Sequence, residues 1–285
     1  MPNSKKFALI GYPLGHSLSP ILYKAAFAEL GIDGEYELLP TESEDLISRI
    51  KFLRSNKYFG FNVTIPHKVP VTLFLSKYDE YVNMTGSVNT VKIEEDSSLS
   101  GYNTDVYGFM QAIDDVDLTG KKAVVIGTGG ASRAICAGLY AKGISAIDIY
   151  TRNVVDSAET ILTLRKRFNK SEIRAIQTSL MDVMSDVDIL VNTTPVGMKN
   201  YDESTSPVED KSIESLPEDA IVYDIVYNPL QTALISKAVK YNKRTVCGLD
   251  MLVYQAQRAV EIWTGKKPDF KTMKIAALEE FMLHK

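Results

Sequence analysis

Cysteine and histidine are scarce in this 285-residue chain: Cys136 and Cys247 stand far apart, and His16, His67 and His284 are scattered. So thin a supply excludes a disulfide framework and offers no metal-ligand spacing. Neither sign of charge dominates. The net charge is −4 with no run of like charges, which leaves no basic field for nucleic acid and no charged tail. Long apolar runs are also missing, whereas a membrane span needs about 18 such residues. After Met1-Pro2-Asn3-Ser4-Lys5-Lys6 the first apolar run meets Gly11 after four residues, too short for a secretory signal. The expectation is a cytoplasmic protein, monomer or homodimer, with a small-molecule substrate, no metal, and neither nucleic-acid nor membrane partners. An anionic substrate would be held by local cations, against the sign of the whole molecule.

What is present is a globular balance, 45% hydrophobic and 24% charged. The length is about twice that of one domain, so two are expected. Short apolar runs alternate with helix-length segments, the pattern of an α/β chain with largely parallel sheets. Phe7–Ile10, Tyr36–Leu39 and Gly60–Ile65 read as strands. Ser19-Pro20 reads as a cap with proline behind it, opening a helix through Leu30 that Gly31 stops. Glu44–Leu53 reads as a helix, and Ser87–Glu94 with Gly101–Asn103 as a hairpin. A second unit begins after Asp105. Lys121–Ile126 is almost wholly apolar, as suits a strand buried on both faces. Gly127-Thr128-Gly129-Gly130 follows, then a helix from Ala131 to Lys142 ended by Gly143. Strands are expected at Ala146–Tyr150, Val187–Val191, Ile221–Tyr227 and Arg244–Cys247, and Asn200–Pro207 is a polar loop. This is the order of a doubly wound, Rossmann-type dinucleotide-binding domain. The expected division is an N-terminal α/β domain at 1–105 and the dinucleotide domain at 106–249. The two helices of 250–285 should pack back on the first.

Particular residues carry chemistry. The glycine turn lets the backbone approach a pyrophosphate, and the helix behind it offers amide N–H groups, with Ser132 at the usual third-glycine position. Thr151-Arg152-Asn153 ends the next strand without a carboxylate, Asp148 falling too early. Arginine there suits a 2′-phosphate, or is an ordinary surface charge. Ser17 and Ser19 can serve a carboxylate or polyol, or cap and turn the chain. In Asn62-Val63-Thr64-Ile65-Pro66-His67-Lys68, strand alternation points Asn62 and Thr64 one way and Phe61, Val63 and Ile65 to the core. Pro66 ends the pairing and delivers Lys68 where open α/β sheets bind ligands; His67 reads as packing. Asp105 is either a cleft carboxylate or the cap of the helix containing Phe109 and Ala112.

Together these pieces resemble the shikimate dehydrogenase family over nearly the whole chain. The resemblance rests on His16-Ser17-Leu18-Ser19-Pro20, Asn62 to Lys68, Gly86-Ser87-Val88-Asn89-Thr90, Asn103-Thr104-Asp105 and Gly127 to Ala131. Asn192-Thr193-Thr194-Pro195-Val196-Gly197-Met198 and Gly248-Leu249-Asp250-Met251-Leu252-Val253-Tyr254-Gln255 complete it, in the family's order and spacing. It implies that the first domain is substrate-binding and catalytic, with Lys68 as acid/base and Asp105 as its partner. Ser17, Ser19, Thr64, Asn89, Tyr227 and Gln255 would join Asp105 in holding substrate. Gly127, Thr128, Gly129, Gly130, Ala131, Arg152, Ile225 and Gly248 would line the cofactor, and Glu80 matches a position of cofactor contact in some members. Two departures stand out: Asp156 occupies a position that is often basic in NADP users, and Val106 replaces the glycine that commonly follows Asn-Thr-Asp. The activity implied is NADPH-dependent, reversible reduction of 3-dehydroshikimate to shikimate in chorismate and aromatic amino acid biosynthesis. The alternatives are a quinate/shikimate enzyme using NAD and a non-catalytic nucleotide-binding protein. A glutamyl-tRNA reductase-like enzyme would need a first-domain cysteine, which neither Cys136 nor Cys247 supplies.

Overall fold

The computed structural model describes residues 4–15, 17–168, 172–181, 183–199 and 201–283; Met1–Asn3, His16, Asn200 and His284 of the sequence reading fall outside them. The chain divides into two compact units, Met1–Gly108 with Leu252–Lys285, and Phe109–Met251.

The first unit opens with β1 (Lys5–Gly11), α1 (Ser19–Glu29), β2 (Gly34–Pro40), α2 (Leu46–Ser55) and β3 (Gly60–Val63). Then come β4 (Lys77–Tyr78), α3 (Glu80–Thr85), β5 (Thr90–Ile93), β6 (Leu99–Tyr102) and α4 (Thr104–Ala112), whose later residues enter the second unit. Among the described residues six strands form a mixed sheet in the order β2-β1-β3-β5-β6-β4. β1 pairs in parallel with β2 and β3, while β5 is antiparallel to β3 and β6. Two corrections follow. β3 ends at Val63, two residues short of the expected end, and Ile65 is 68% exposed instead of facing the core. The alternation predicted for Ile65 fails because that residue has already left the ladder. The helix expected from Glu44 starts as a 3-10 turn, Ser43–Asp45, before α2.

The second unit contains β7 (Lys122–Ile126), α5 (Gly130–Ala141), β8 (Ala146–Thr151), α6 (Ala158–Arg167) and β9 (Glu172–Gln177). It continues with β10 (Ile189–Asn192), α7 (Asp210–Glu214), β11 (Ile221–Asp224), α8 (Ala233–Lys240) and β12 (Arg244–Cys247). All pairings are parallel, in the order β12-β11-β10-β7-β8-β9, so connections run outward to both sides from β7. That is the doubly wound arrangement, whose ligands bind at the carboxyl ends of the strands beside the reversal of order. β11 stops at Asp224, so Tyr227 lies in a loop rather than in a strand.

Two helices close the chain, α9 (Gly248–Thr264) and α10 (Phe270–Leu283), with α10 packed on α1. Trp263 of α9 stacks on Phe7 with ring centroids 4.9 Å apart and donates its indole N–H to the Val91 carbonyl at 2.9 Å. Among the described residues no helix is long and apolar enough to cross a membrane.

Candidate active site

Asn62 sits inside the first sheet, and its amide is spent there. Its Oδ1 accepts from the hydroxyls of Tyr23 and Tyr36, both at 2.7 Å, and its Nδ2 donates to Thr90 Oγ1 at 2.9 Å. Burial pushes both phenols well above their ordinary range. Beyond β3 the chain turns, and the buried His67 packs with its Nε2 2.8 Å from the Thr41 carbonyl. The next residue is Lys68. Its carbonyl accepts from Val88 N at 2.7 Å, which fixes the lysine stem beside Asn89.

Lys68 Nζ lies 2.6 Å from Asp105 Oδ2, with side chains only 19% and 14% exposed. Asp105 occupies the first turn of α4, where the helix dipole favours a negative charge. Its other oxygen accepts from Asn89 Nδ2 at 2.8 Å. That amide cannot turn over, because Asn89 Oδ1 takes the backbone N–H of Thr104 at 2.7 Å. The Thr104 hydroxyl in turn reaches Thr90 Oγ1 at 3.1 Å and Gln255 Oε1, on α9, at 3.5 Å. The capping alternative for Asp105 is excluded. Asn103 precedes the helix and accepts from Val106 N at 3.4 Å, leaving the carboxylate of Asp105 to the lysine.

Ser17, Ser19 and Thr64 stand apart from this cluster in the described hydrogen bonds. Ser17 Oγ accepts from Ser19 N at 3.2 Å. Ser19 is the first residue of α1, not its cap; Leu18 holds that place, and no side chain caps the helix. Thr64 follows β3, its N–H bonded to the Ile10 carbonyl at 2.9 Å. Glu80 opens α3 and, with Tyr81, Tyr107 and Arg258, lines a hollow of about 200 Å³ in the first unit.

In the second unit β7 runs into the glycine turn. Gly127 has φ +106°, a conformation that favours glycine, and a Cβ on it would meet Thr193 Oγ1 at 2.9 Å. Gly129 holds the cap position of α5 with no side-chain cap, so the first amides of the helix are left for an anion. A Cβ on Gly129 would meet nothing within 4 Å, an open cradle of the kind a pyrophosphate fills. These residues fit a dinucleotide.

Arg152 is exposed just beyond β8. Asp156 is held by Asn153, whose Nδ2 donates to it at 2.7 Å while Asn153 Oδ1 takes Val155 N at 3.0 Å. Asp148 is buried within β8 and paired with Lys122 at 3.1 Å and Arg174 at 2.8 Å, so it has no part at the strand end. Gly248 must be glycine for packing: a Cβ would lie 2.0 Å from the Ile225 carbonyl. Tyr227 follows that carbonyl, its phenol pushed up by burial. Composition and spacing pointed to Lys68, Asp105 and the glycine turn; Asn103, Thr104 and Asn192 stood in quoted motifs without a role, and Asp224 was not singled out. The available signal for Asp224 was a single carboxylate closing an apolar strand.

Residues 9–91 match the family model of the shikimate dehydrogenase substrate binding domain, and residues 248–278 that of the shikimate 5′-dehydrogenase C-terminal domain. The chain is 38% identical over 278 residues to shikimate dehydrogenase (NADP(+)) of Methanococcus maripaludis, covering 96% of each. It superimposes on a crystal structure of shikimate dehydrogenase in complex with NADP+ with a TM-score of 0.88 at 35% identity, covering 97% of this chain and 96% of that one. For shikimate 5-dehydrogenase from Thermus thermophilus in complex with NADP(H) and shikimate, the TM-score is 0.83 at 33% identity, with 96% and 99% covered.

Proposed function

The chain belongs to the shikimate dehydrogenase family, and we propose that it catalyses the reversible, NADPH-dependent reduction of 3-dehydroshikimate to shikimate in the cytoplasm. The observation that carries this reading is the Lys68–Asp105 pair, 2.6 Å apart and largely withdrawn from water. Bound NADPH supplies the hydride for the ring carbonyl carbon. Lys68 offers a positive charge to the oxygen on which negative charge grows, and it yields the proton that oxygen needs. Asp105 keeps the ammonium in place, and Asn89 keeps Asp105 in place. Ser17, Ser19, Thr64, Asn89, Tyr227 and Gln255 carry the polar groups that a hydroxylated, carboxylated ring requires.

The first unit is thus the substrate-binding and catalytic domain, and the second the dinucleotide domain. Gly127, Thr128, Gly129, Gly130 and Ala131 would hold the pyrophosphate, with Ile225 and Gly248 at the ends of neighbouring strands and Glu80 as a further contact. Arg152 would pair with the 2′-phosphate, since a guanidinium matches phosphate bidentately. Asp156 opposes the phosphate only weakly, because it is exposed and its repulsion is screened, whereas a bidentate arginine–phosphate pair is short-ranged and directional.

The test is initial rates with shikimate and with quinate, each with NADP and with NAD. Shikimate with NADP should be fastest, Arg152→Ala should lose the preference for NADP, and Asp156→Arg should strengthen it. Faster turnover with NAD, or an Arg152→Ala variant with unchanged NADP affinity, would overturn the cofactor assignment.

A further inference from the structure

Asn192-Thr193-Thr194-Pro195 has no part in the chemistry above, yet its first side chain is fully buried at the end of β10. Asn192 Oδ1 accepts from the Thr194 backbone N–H at 3.0 Å and from its hydroxyl at 2.7 Å. A backbone N–H can only donate, so the amide is fixed with its nitrogen toward Asp224, whose Oδ1 it meets at 2.9 Å. Asp224 closes β11 with no exposed surface. The same Oδ1 takes Val226 N at 3.1 Å, and Oδ2 takes the hydroxyl of Thr232 at 2.7 Å. Thr232 also caps α8 by accepting from Ile235 N.

Thr193 carries the tie to β7. Its hydroxyl donates to the Ile126 carbonyl at 2.6 Å, and its Oγ1 would lie 2.9 Å from a Cβ on Gly127. The glycine turn therefore rests on a loop that Asn192 and Asp224 hold. Ile225 hangs from the same frame, its N–H bonded to the Asn192 carbonyl at 3.1 Å. Burial pushes the Asp224 carboxyl up to about 6 against the pull of three donors, so ionising it costs more in the fold than in water. What it supplies is geometry.

We propose that Asn192 and Asp224 are positioning residues of the dinucleotide site, setting the glycine turn and the Ile225 loop through the segments that follow β10 and β11. This rests on the reading of residues 127–131 as the pyrophosphate turn. The experiment is fluorescence titration of NADPH into wild type, Asn192→Ala, Asp224→Ala and Thr193→Val, at temperatures where circular dichroism shows each folded. Losing several buried hydrogen bonds should weaken NADPH binding about tenfold in Asn192→Ala, and losing the single bond of the Thr193 hydroxyl should weaken it about threefold in Thr193→Val, with the Michaelis constant for shikimate within about twofold of wild type. Asp224→Ala, which removes the acceptor shared by Asn192 Nδ2 and Val226 N, should weaken binding to a similar extent. Should Asn192→Ala fail to fold, Thr193→Val decides alone. Wild-type affinity in the folded variants would overturn the proposal. A wild-type protein that binds no NADPH in the same titration would instead overturn the pyrophosphate reading.

Discussion

Two roles compete for Asp105, helix cap and lysine partner, and the hydrogen bonds separate them because Asn103 takes the cap. Lys68→Ala should therefore lower turnover about 10² to 10⁴-fold, and Asp105→Asn should impair turnover with little change in melting temperature. A large loss of stability with normal turnover in Asp105→Asn would restore the capping role. Lys68 and Asp105 were legible in the sequence because each follows an element end that the pattern already marks. The hold that Asn89 has on Asp105 was not, since it depends on which way an amide faces, and a distant backbone N–H decides that. Asp224 was hidden for a different reason: the apolar run reads straight through it to Val226, as if it were one more strand residue. Its carboxyl rises from an ordinary 3.8 to about 6, chiefly through burial, with Thr232, Val226 and Asn192 pulling the other way. The fold thus favours the protonated form. The stability it contributes is complete below about pH 4 and is lost as pH climbs through about 6, by about 3 kcal/mol at about 1.4 kcal/mol per pKa step. Urea unfolding of wild type and Asp224→Asn should give a stability difference that shifts against wild type across that window. A difference independent of pH would show that the carboxyl titrates normally.

Elements differ in how loudly their residues announce them. β7 and its glycine turn were plain, because a run buried on both faces followed by glycines has few other readings. β9 went unread: it is an edge strand, and Glu172, Arg174 and Gln177 face solvent while Ile173 alone is fully buried. β4, with two residues, and α3, with six, are too short for any period to show. Tertiary packing of α9 on the first sheet was equally silent, since Gly60 looks like an ordinary strand start. A Cβ there would meet Trp263 Nε1 at 2.2 Å and the Val91 carbonyl at 2.6 Å, the two atoms of the hydrogen bond that clamps α9. Trp263 cannot yield easily, because its ring is stacked on Phe7. Gly60→Ala should therefore destabilise the first unit by about 1–3 kcal/mol, the usual cost of overpacking. The chain has one tryptophan, so the same substitution should shift its emission to the red. Unchanged emission and unfolding midpoint would mean that α9 tolerates displacement.

Across the whole molecule, the two proposed sites fall in units with separate cores. The first unit has a core that includes Ile10, Leu53, Phe61 and Val91, and the second one that includes Val124, Leu190, Val222 and Leu234. The Lys68–Asp105 pair belongs to the first and the glycine turn to the second. A ligand that binds only the native form stabilises it by about 2.7 kcal/mol at a hundredfold excess over its dissociation constant. A substitution at the Lys68–Asp105 pair or at the glycine turn should then affect one ligand's part and leave the other's stabilisation intact. Gly129 gives the cleaner case. Its backbone is extended, φ −75° and ψ −173°, so alanine is tolerated there, and the added methyl meets no protein atom within 4 Å. Gly129→Ala should keep wild-type stability without ligand, or gain slightly from a less flexible unfolded chain. The methyl would nevertheless occupy the cradle proposed for the pyrophosphate. NADPH should therefore no longer raise the melting temperature of Gly129→Ala, while shikimate still does. Lys68→Ala should show the reverse for catalysis, inactive yet stabilised by NADPH as wild type is. If Gly129→Ala kept the full NADPH shift, the cofactor could not lie on this turn, and the division of labour between the two units would have to be redrawn.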